Sequence, residues 1–349
     1  MFGLVRFFLS YLVILSHLTG SVYAEHFGYY AVRAFFVISG FLMTSALHEV
    51  YRFDGVRFWT NRLLRLLPPY YFVCLLTLIA VILLPSAAEQ FHWSWRHSGS
   101  IAEWTSEVMA NLLVFPLHFP SPEFRLVPPY WSVAVELEMY VLLYLIAARN
   151  IECAMVVLAA GVVFHVANVN AGLVWDTRYF TAAGAIMPYA SGAVMYFLSK
   201  RGVLVAPWAA ALALVLWLAN LFLAGWTSPE SYVYGTGYYL NGVIFAVVVA
   251  GVAQLRFAGP VARFDRALGE IAYPVFLVQW LVGFLVAVTF FPGTQRGWVL
   301  TLVATPFIIA AGFALALVNR RFVEPVRLRL RETPRESPLA LDGATARAG

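Results

Sequence analysis

An arginine and a histidine share one apolar segment near the start of the chain, RFFLSYLVILSH, as Arg6 and His17. They are eleven positions apart, about three helical turns, so both lie on one helix face, roughly 16 Å apart along its axis. Alone, His17 could be a hydrated histidine at the headgroup boundary and Arg6 a snorkelling anchor. Because ionisable groups are costly in lipid, the pair predicts a site entered at Arg6 and reactive at His17.

A second group of candidate residues is a polar stripe in the segment PPYWSVAVELEMYVLLYL. Ser132, Glu136 and Tyr140 recur every four residues and therefore share one helix face. A carboxylate in a membrane helix indicates a functional site, and the alternative is a buried glutamate paired with an arginine. From the direction of this helix we expect Glu136 at the depth of His17, where it would orient and polarise the imidazole.

Two arginines open the third predicted helix, in the run NRLLRLLPPYY. Arg62 and Arg65 are three residues apart and share one face, directly before a double proline. Loop charge explains many such arginines, but this pair could also bind phosphate groups through bidentate hydrogen bonds. Further along, Gln279 is a polar residue within LGEIAYPVFLVQWLVG and is a candidate to line a cavity.

The composition predicts an all-α, polytopic membrane protein. Of 349 residues, 62% are hydrophobic and 12% charged, against about 45–50% and 25% in soluble domains. Apolar stretches of about twenty residues predict about ten transmembrane helices. We place them near 4–22, 29–49, 63–84, 130–148, 151–169, 181–199, 203–224, 236–255, 269–291 and 297–318.

The basic residues predict the orientation. With a cytoplasmic N-terminus, 18 of the 23 lysines and arginines fall on the cytoplasmic side, so both termini are expected in the cytoplasm. These residues are spread between spans rather than gathered on one patch, so nucleic acid is not an expected partner. Cys74 and Cys153 both lie in apolar spans, and we predict neither a disulfide framework nor a metal site.

The chain divides into a transmembrane domain, 1–326, and a polar cytoplasmic tail, 327–349, which is predicted to be disordered. The least regular part is 85–129. Its apolar run ANLLVFPLHF is too short to span and is broken by Pro116 and Pro120. A re-entrant or interfacial segment fits this pattern best.

In these residues the chain resembles the acyltransferase-3 family of bacterial integral membrane O-acyltransferases. The resemblance covers about residues 4 to 326 and rests on six segments in the family's order. They are RFFLSYLVILSH, FFVISGFL, NRLLRLLPPYY, YWSVAVELEMY, LGEIAYPVFLVQW and RFVEPVR. It implies that an acyl group, commonly acetyl, moves from cytoplasmic acyl-CoA (here acetyl-CoA as co-substrate, with no metal) to a hydroxyl acceptor. The acceptor would be a glycan, a glycolipid or a small molecule at the outer side of the inner membrane, with membrane lipids as surroundings.

The resemblance also implies roles for individual residues. His17 matches the catalytic histidine, and Glu136 matches the glutamate of the family's Trp-Ser-x-x-x-Glu segment. Donor binding would fall to Arg6, Arg62 and Arg65, and substrate contacts to Ser132, Tyr140 and Gln279.

Three positions depart from the family's pattern. Many members have a neutral residue at Glu138, a histidine is frequent at Gln279, and Arg33 stands where the residue is often acidic. These departures concern the acceptor more than the reaction.

Two other readings of the sequence are open. Ten helices with intramembrane charges are also typical of a transporter that exports a lipid or sugar. Against it, the two halves of the chain show no corresponding pair of Gly/Pro-broken helices. A catalytically inactive membrane scaffold is the third possibility. The sequence does not determine the acceptor, the acyl chain length or the oligomeric state. It also leaves open whether the acyl group is transferred directly or through an acyl-enzyme.

Overall fold

The structure is a computed structural model that describes residues 2–96, 101–114, 124–227, 229–293 and 296–332. Over these residues the chain is helical, without a strand. The α-helices are α1 Gly3–Leu18, α2 Val22–Ser45, α3 Gly55–Leu83, α4 Pro85–Phe91, α5 Ile101–Leu113, α6 Trp131–Leu142, α7 Ile151–Asn170, α8 Trp175–Tyr179, α9 Ala182–Lys200, α10 Pro207–Ala224, α11 Gly237–Gln254, α12 Gly259–Phe290, α13 Trp298–Phe322 and α14 Glu324–Glu332. Short 3₁₀ turns at Trp93–Trp95 and Pro128–Tyr130 and π-helical turns at Ala46–Tyr51, Leu143–Ala147 and Pro229–Thr236 complete the secondary structure.

Nine helical segments of the described chain are long and apolar enough to cross a membrane, and the 16-residue α1 is a shorter apolar tenth. The predicted all-α, polytopic fold is therefore confirmed. The spans alternate in direction, which places the start of α1 and the end of α13 at the same end of the bundle. We call this the Arg6 end and the opposite one the His17 end; which of them faces the cytoplasm stays a prediction.

The segment between α3 and α6 contains only short helices. α5 has 13 residues, too few to span a membrane. Asn111 fastens α5 to the chain before α6, because its amide donates to Phe124 O and its oxygen accepts from the Leu126 amide, both at 2.9 Å. The run with Pro116 and Pro120 lies in 115–123, outside the described residues, so the re-entrant segment stays a prediction.

Helices α1 and α12 run parallel and are joined at three heights. The Leu4 amide donates to Asp265 Oδ1, Ser10 Oγ donates to Ala272 O, and His17 Nδ1 lies 3.1 Å from Gln279 Oε1. The three pairs are separated by 261 or 262 positions along the chain, so the two helices stay in register from one end of the bundle to the other. The position of Gln279 beside His17 follows from this register.

Helices α2 and α9 cross at very close range. A Cβ added at Gly40 would lie 2.1 Å from Tyr189 O, and one at Gly192 would lie 2.1 Å from Val37 O. Only glycine allows such an approach. The crossing fixes the face of α2 that lines the cavities described below.

The chain after α13 continues as α14. Arg327 on α14 donates to Asn61 Oδ1 of α3 at 3.2 Å and pairs with Glu324 one turn before it. The predicted boundary at 326 falls inside α14, so residues 327–332 are helical rather than disordered; packing against α3 supplies the contacts that the polar sequence did not reveal. Residues 333–349 lie outside the described part, where disorder stays a prediction.

Candidate functional site

His17 is held by Gln279 at the His17 end of α1. The Gln279 amide nitrogen donates to Phe276 O at 2.9 Å, so its oxygen is the group that faces His17 Nδ1 at 3.1 Å. An amide oxygen can only accept, and Nδ1 therefore carries the ring hydrogen in neutral His17. This tautomer leaves the Nε2 lone pair available as a base.

Aromatic and cationic groups surround the imidazole. The ring centres of His17 and Trp280 are 5.4 Å apart, and His92 packs edge-on against Trp280 with ring centres 4.1 Å apart. Arg296 donates to His17 O at 3.2 Å and places its guanidinium 5.6 Å from the centre of the Trp280 ring. These contacts order the end of α1 and restrict how His17 can turn.

His17 opens onto a cavity of about 1190 Å³, which we call the aromatic cavity. Broad aromatic faces and a few polar groups share its wall, an arrangement typical of small-molecule sites. Its principal side chains are His17, Glu25, Tyr29, Trp93, Arg125, Trp131, Tyr179 and Arg296. Tyr29 donates to Glu25 Oε1 at 2.8 Å, which fixes the carboxylate at the rim.

His92 lies in this wall as a neutral ring. Burial, followed by the charge of Arg296, the ring of His17 and the charge of Arg125, holds the pKa of His92 well below its ordinary value. Its Nδ1 accepts from the backbone amide and the hydroxyl of Ser94, at 3.1 and 2.6 Å. The ring therefore fastens the Trp93–Trp95 turn, and Trp93 reaches the cavity from there.

A second cavity, of about 770 Å³, lies nearer the Arg6 end, and we call it the central cavity. Its polar side chains are Arg6, Ser10, Ser39, Arg65, Ser132, Glu136, Tyr140 and Tyr273. The stripe predicted from sequence thus lies along one wall. Glu136 accepts hydrogen bonds from Ser39 Oγ at 2.9 Å and from the Tyr140 hydroxyl, and two arginines share the same cavity.

The expected contact between Glu136 and His17 is wrong. Glu136 lines the central cavity with Arg6, whereas His17 lines the aromatic cavity and bonds to Gln279. Glu136 would reach the depth of His17 only if its helix started at the membrane surface. In the structure, Phe124 and Tyr130 are fully buried, so α6 already begins inside the protein and carries Glu136 deeper.

The two arginines of α3 have different surroundings. Arg65 lines the central cavity, and its role in donor binding stays a prediction. Arg62 is instead buried between Tyr51 and Phe58. Its Nη2 donates to the Tyr51 hydroxyl at 3.1 Å. Only one member of the pair therefore reaches the cavity directly.

One face of α1 passes both cavities. Arg6 and Ser10 line the central cavity, and Val13 and His17 line the aromatic cavity. Val32 of α2 borders both spaces. The prediction that Arg6 and His17 share one face is thus confirmed, and this face connects an arginine-lined space to a histidine-lined one.

Comparison with known proteins decides the family. The family model for an acyltransferase domain, Acyl_transf_3, matches residues 2–318. The chain belongs to the acyltransferase-3 family. No curated protein and no solved structure matches it. Family and fold together make this chain a membrane acyltransferase, which favours the enzyme over the transporter and the inactive scaffold.

For an acyltransferase of this family, the site has the elements of base catalysis. A histidine with a defined free nitrogen can take a proton from a hydroxyl. In the described part of the chain, no cluster of three or more His, Cys, Asp or Glu side chains could hold a metal ion.

Several residues of this candidate site were missed from the sequence. Trp93, Tyr179 and Arg296 reach the aromatic cavity from segments that are far apart in the chain. Trp93 and Tyr179 are aromatic residues, a type that is equally expected in an aromatic belt at the membrane interface.

Proposed function

We propose that this acyltransferase moves an acyl group, acetyl foremost, from acyl-CoA to a hydroxyl of a glycan or glycolipid. The observation that supports it best is His17, held by Gln279 with a free Nε2 on the same α1 face as Arg6. The positive-inside rule places the Arg6 end in the cytoplasm, where acyl-CoA is available. The acceptor then waits at the His17 end, on the outer side of a bacterial inner membrane.

In this proposal the donor enters from the Arg6 end. Arg65 and Arg6 offer guanidinium groups for the CoA diphosphate, since arginine binds phosphate through two parallel hydrogen bonds. The pantetheine arm extends along α1 past Ser10 toward His17, which lies about 16 Å from Arg6 along the helix axis. Val32, which borders both cavities, marks the passage that the arm must use.

The chemistry is an ordinary acyl transfer. His17 Nε2 takes the proton of the acceptor hydroxyl as its oxygen attacks the thioester carbonyl. The carbon–sulfur bond breaks and an ester carbon–oxygen bond forms. The proton on His17 passes to the departing thiolate, so free CoA thiol and O-acylated acceptor are the products.

Gln279 and Glu136 take different parts in this scheme. Gln279 contacts His17 and fixes the tautomer, so it acts as a positioning residue rather than a substrate contact. Glu136 lies beside two arginines in the central cavity, where its negative charge compensates theirs and orients Tyr140. We therefore place Glu136 with the donor arm rather than with the imidazole.

The aromatic cavity is proposed as the acceptor site. Flat ring faces such as Trp93, Trp131 and Tyr179 can stack on the apolar face of a sugar ring, and Glu25 and Arg296 can bind its hydroxyls. A glycan or glycolipid therefore fits this cavity better than a purely hydrocarbon acceptor.

Two measurements test the proposal. Purified protein in proteoliposomes should release CoA thiol from acetyl-CoA only when acceptor is present, and the acceptor should gain one acetyl group by mass spectrometry. Surface glycans of cells with and without the protein should differ by the same mass. Flux of a lipid or sugar without consumption of acetyl-CoA would refute the enzyme and support the transporter.

A further inference from the structure

Arginines from four helices meet in a wide cavity at the Arg6 end, which we call the arginine vestibule. The space between its walls, part of which is open to solvent, is about 1410 Å³. Its arginines are Arg65 of α3, Arg263 and Arg266 of α12, Arg320 of α13 and Arg327 of α14. Two carboxylates, Glu270 and Glu324, share the wall, and Glu324 is already paired with Arg327. The vestibule therefore has a clear excess of positive charge.

The arginine vestibule adjoins the central cavity. Arg65 and Tyr273 line both spaces. On the other side, Arg266 borders the vestibule and a neighbouring opening that reaches Arg6. The arginines thus form two tiers: Arg6 and Arg65 at the inner tier, and the arginines of α12, α13 and α14 at the outer one.

Arg327 gives independent evidence for an anion in the vestibule. It is only 9% exposed, yet its Nε has no hydrogen-bond partner among the described residues. Burial lowers the pKa of Arg327, Glu324 opposes this, and the charges of Arg65 and Arg62 lower it further. The large majority of buried side-chain polar atoms have at least one hydrogen-bond partner. A negatively charged group that accepts hydrogen bonds would give this Nε a partner and would offset the excess positive charge of the vestibule.

We propose that the arginine vestibule binds a second phosphate group of the acyl donor, the 3′-phosphate of its ribose. This inference rests on the proposed function, in which the inner tier takes the diphosphate. A phosphomonoester is close to doubly charged at neutral pH and suits several converging guanidinium groups. The two tiers of arginine thereby match a donor that carries phosphate at two separated places.

An anionic lipid headgroup offers the same phosphate chemistry. The outer tier lies at the end of the bundle, where α13 leaves the membrane-spanning region, so a phospholipid could reach Arg320. An experiment can distinguish the nucleotide from the lipid. Removing the 3′-phosphate of CoA affects only binding of the nucleotide, whereas changing the lipid composition of the membrane affects only binding of the lipid.

Equilibrium binding of CoA and of 3′-dephospho-CoA to the purified full chain in neutral phosphatidylcholine nanodiscs tests the inference without requiring catalysis. We expect CoA to bind at least about tenfold more tightly than 3′-dephospho-CoA, the scale of one charge-assisted phosphate contact. Arg320→Gln should weaken CoA binding by a similar factor and leave 3′-dephospho-CoA unchanged. Arg321→Gln, which removes the neighbouring exposed charge on α13 outside the vestibule wall, is the matched control and should leave both unchanged.

Equal affinities for the two nucleotides, or equal effects of the Arg320 and Arg321 substitutions, would overturn the inference. So would a preference for CoA that vanishes when phosphatidylglycerol is added, because a lipid would then be the natural occupant. If the preference is found but acetyl-CoA is not consumed with any acceptor, the vestibule assignment stands and the proposed transferase reaction fails. The two ideas are thus separately refutable.

Discussion

The imidazole Nδ1 of His17 lies 3.1 Å from the side-chain oxygen of Gln279, 262 positions later in the chain. Ser10 and Ala272, about two turns nearer the Arg6 end, are joined by a hydrogen bond with the same separation of 262 positions. Parallel packing of α1 and α12 in a fixed register therefore delivers an amide oxygen to the histidine. Gln279 holds the ring in one tautomer and leaves Nε2 free.

Replacing Gln279 by leucine should lower kcat while changing the KM for acetyl-CoA little. Leucine keeps the side-chain volume but frees the His17 ring to turn and to change tautomer, and loss of such orienting bonds typically costs about 10–100-fold. Steady-state kinetics of CoA release measure both constants. Gln254→Leu is the control, because Gln254 makes a similar bond to Ala250 O on α11, away from the cavities.

A Gln279→Leu protein that keeps wild-type kcat would show that the tautomer is not set by this contact. A rise in KM for the acceptor alone, without a change in kcat, would return Gln279 to the role of a substrate contact.

Glu136→Gln should tighten acyl-CoA binding rather than abolish general-base chemistry. The carboxylate shares the central cavity with Arg6 and Arg65 and accepts from Ser39 and Tyr140. Its loss leaves two arginines without compensating charge, so the phosphates of the donor meet more positive charge. We expect the KM for acetyl-CoA to fall at least about fivefold, since hydrogen bonds to charged groups contribute about 1.5–3 kcal/mol. The pH dependence of kcat should keep its wild-type shape.

Glu138→Gln serves as the comparison, because Glu138 lies on the same helix about 200° around from Glu136. A Glu136→Gln protein whose kcat profile shifts along the pH axis, with donor KM intact, would instead place the carboxylate beside the catalytic base.

Gly40→Ala should destabilise the protein strongly. The added Cβ would lie 2.1 Å from Tyr189 O, so α2 and α9 must separate, and overpacking of this kind costs about 1–3 kcal/mol. Thermal unfolding in detergent should show a midpoint several degrees below wild type. Gly297→Ala is the control, since a Cβ there meets nothing within 4 Å; equal midpoints for the two variants would contradict the close crossing.

His92 should make the protein lose stability on acidification. Its pKa is held well below the ordinary value in the folded chain by burial first and by nearby cationic groups. Below the ordinary pKa of about 6.5 the unfolded chain binds a proton that the folded chain does not, so stability falls as pH drops through that value. The thermal unfolding midpoint of the wild type should therefore decrease as the pH is lowered from about 7 to about 5.

His92→Asn keeps an acceptor for the Ser94 amide but removes the titrating ring. Its midpoint should fall less steeply over the same pH interval than that of the wild type. Parallel curves for the two proteins would mean that His92 titrates as freely in the folded chain as in the unfolded one.

Local periodicity was enough to predict which residues share a face. Arg6 and His17 on α1, and Ser132, Glu136 and Tyr140 on α6, lie as a 3.6-residue repeat requires. The number of spans followed from apolar length, because each stretch of about twenty residues must be helical in lipid.

Relations between helices could not be predicted in the same way. The contact of Gln279 with His17 depends on the register of two helices far apart in the chain. The depth of Glu136 depends on a buried segment before α6 that has no periodic signal. In the sequence, the arginines of α12, α13 and α14 served only to predict the orientation in the membrane. Their convergence on one cavity depends on how these three helices pack.

The most direct test of the account is the kinetics of His17→Gln in proteoliposomes, with CoA binding measured on the same preparation. A free Nε2 that acts as general base predicts that kcat falls by at least about 100-fold, while CoA binds with wild-type affinity because its phosphates lie at the Arg6 end. Transfer at the wild-type rate by His17→Gln would contradict the central claim that this histidine takes the acceptor's proton.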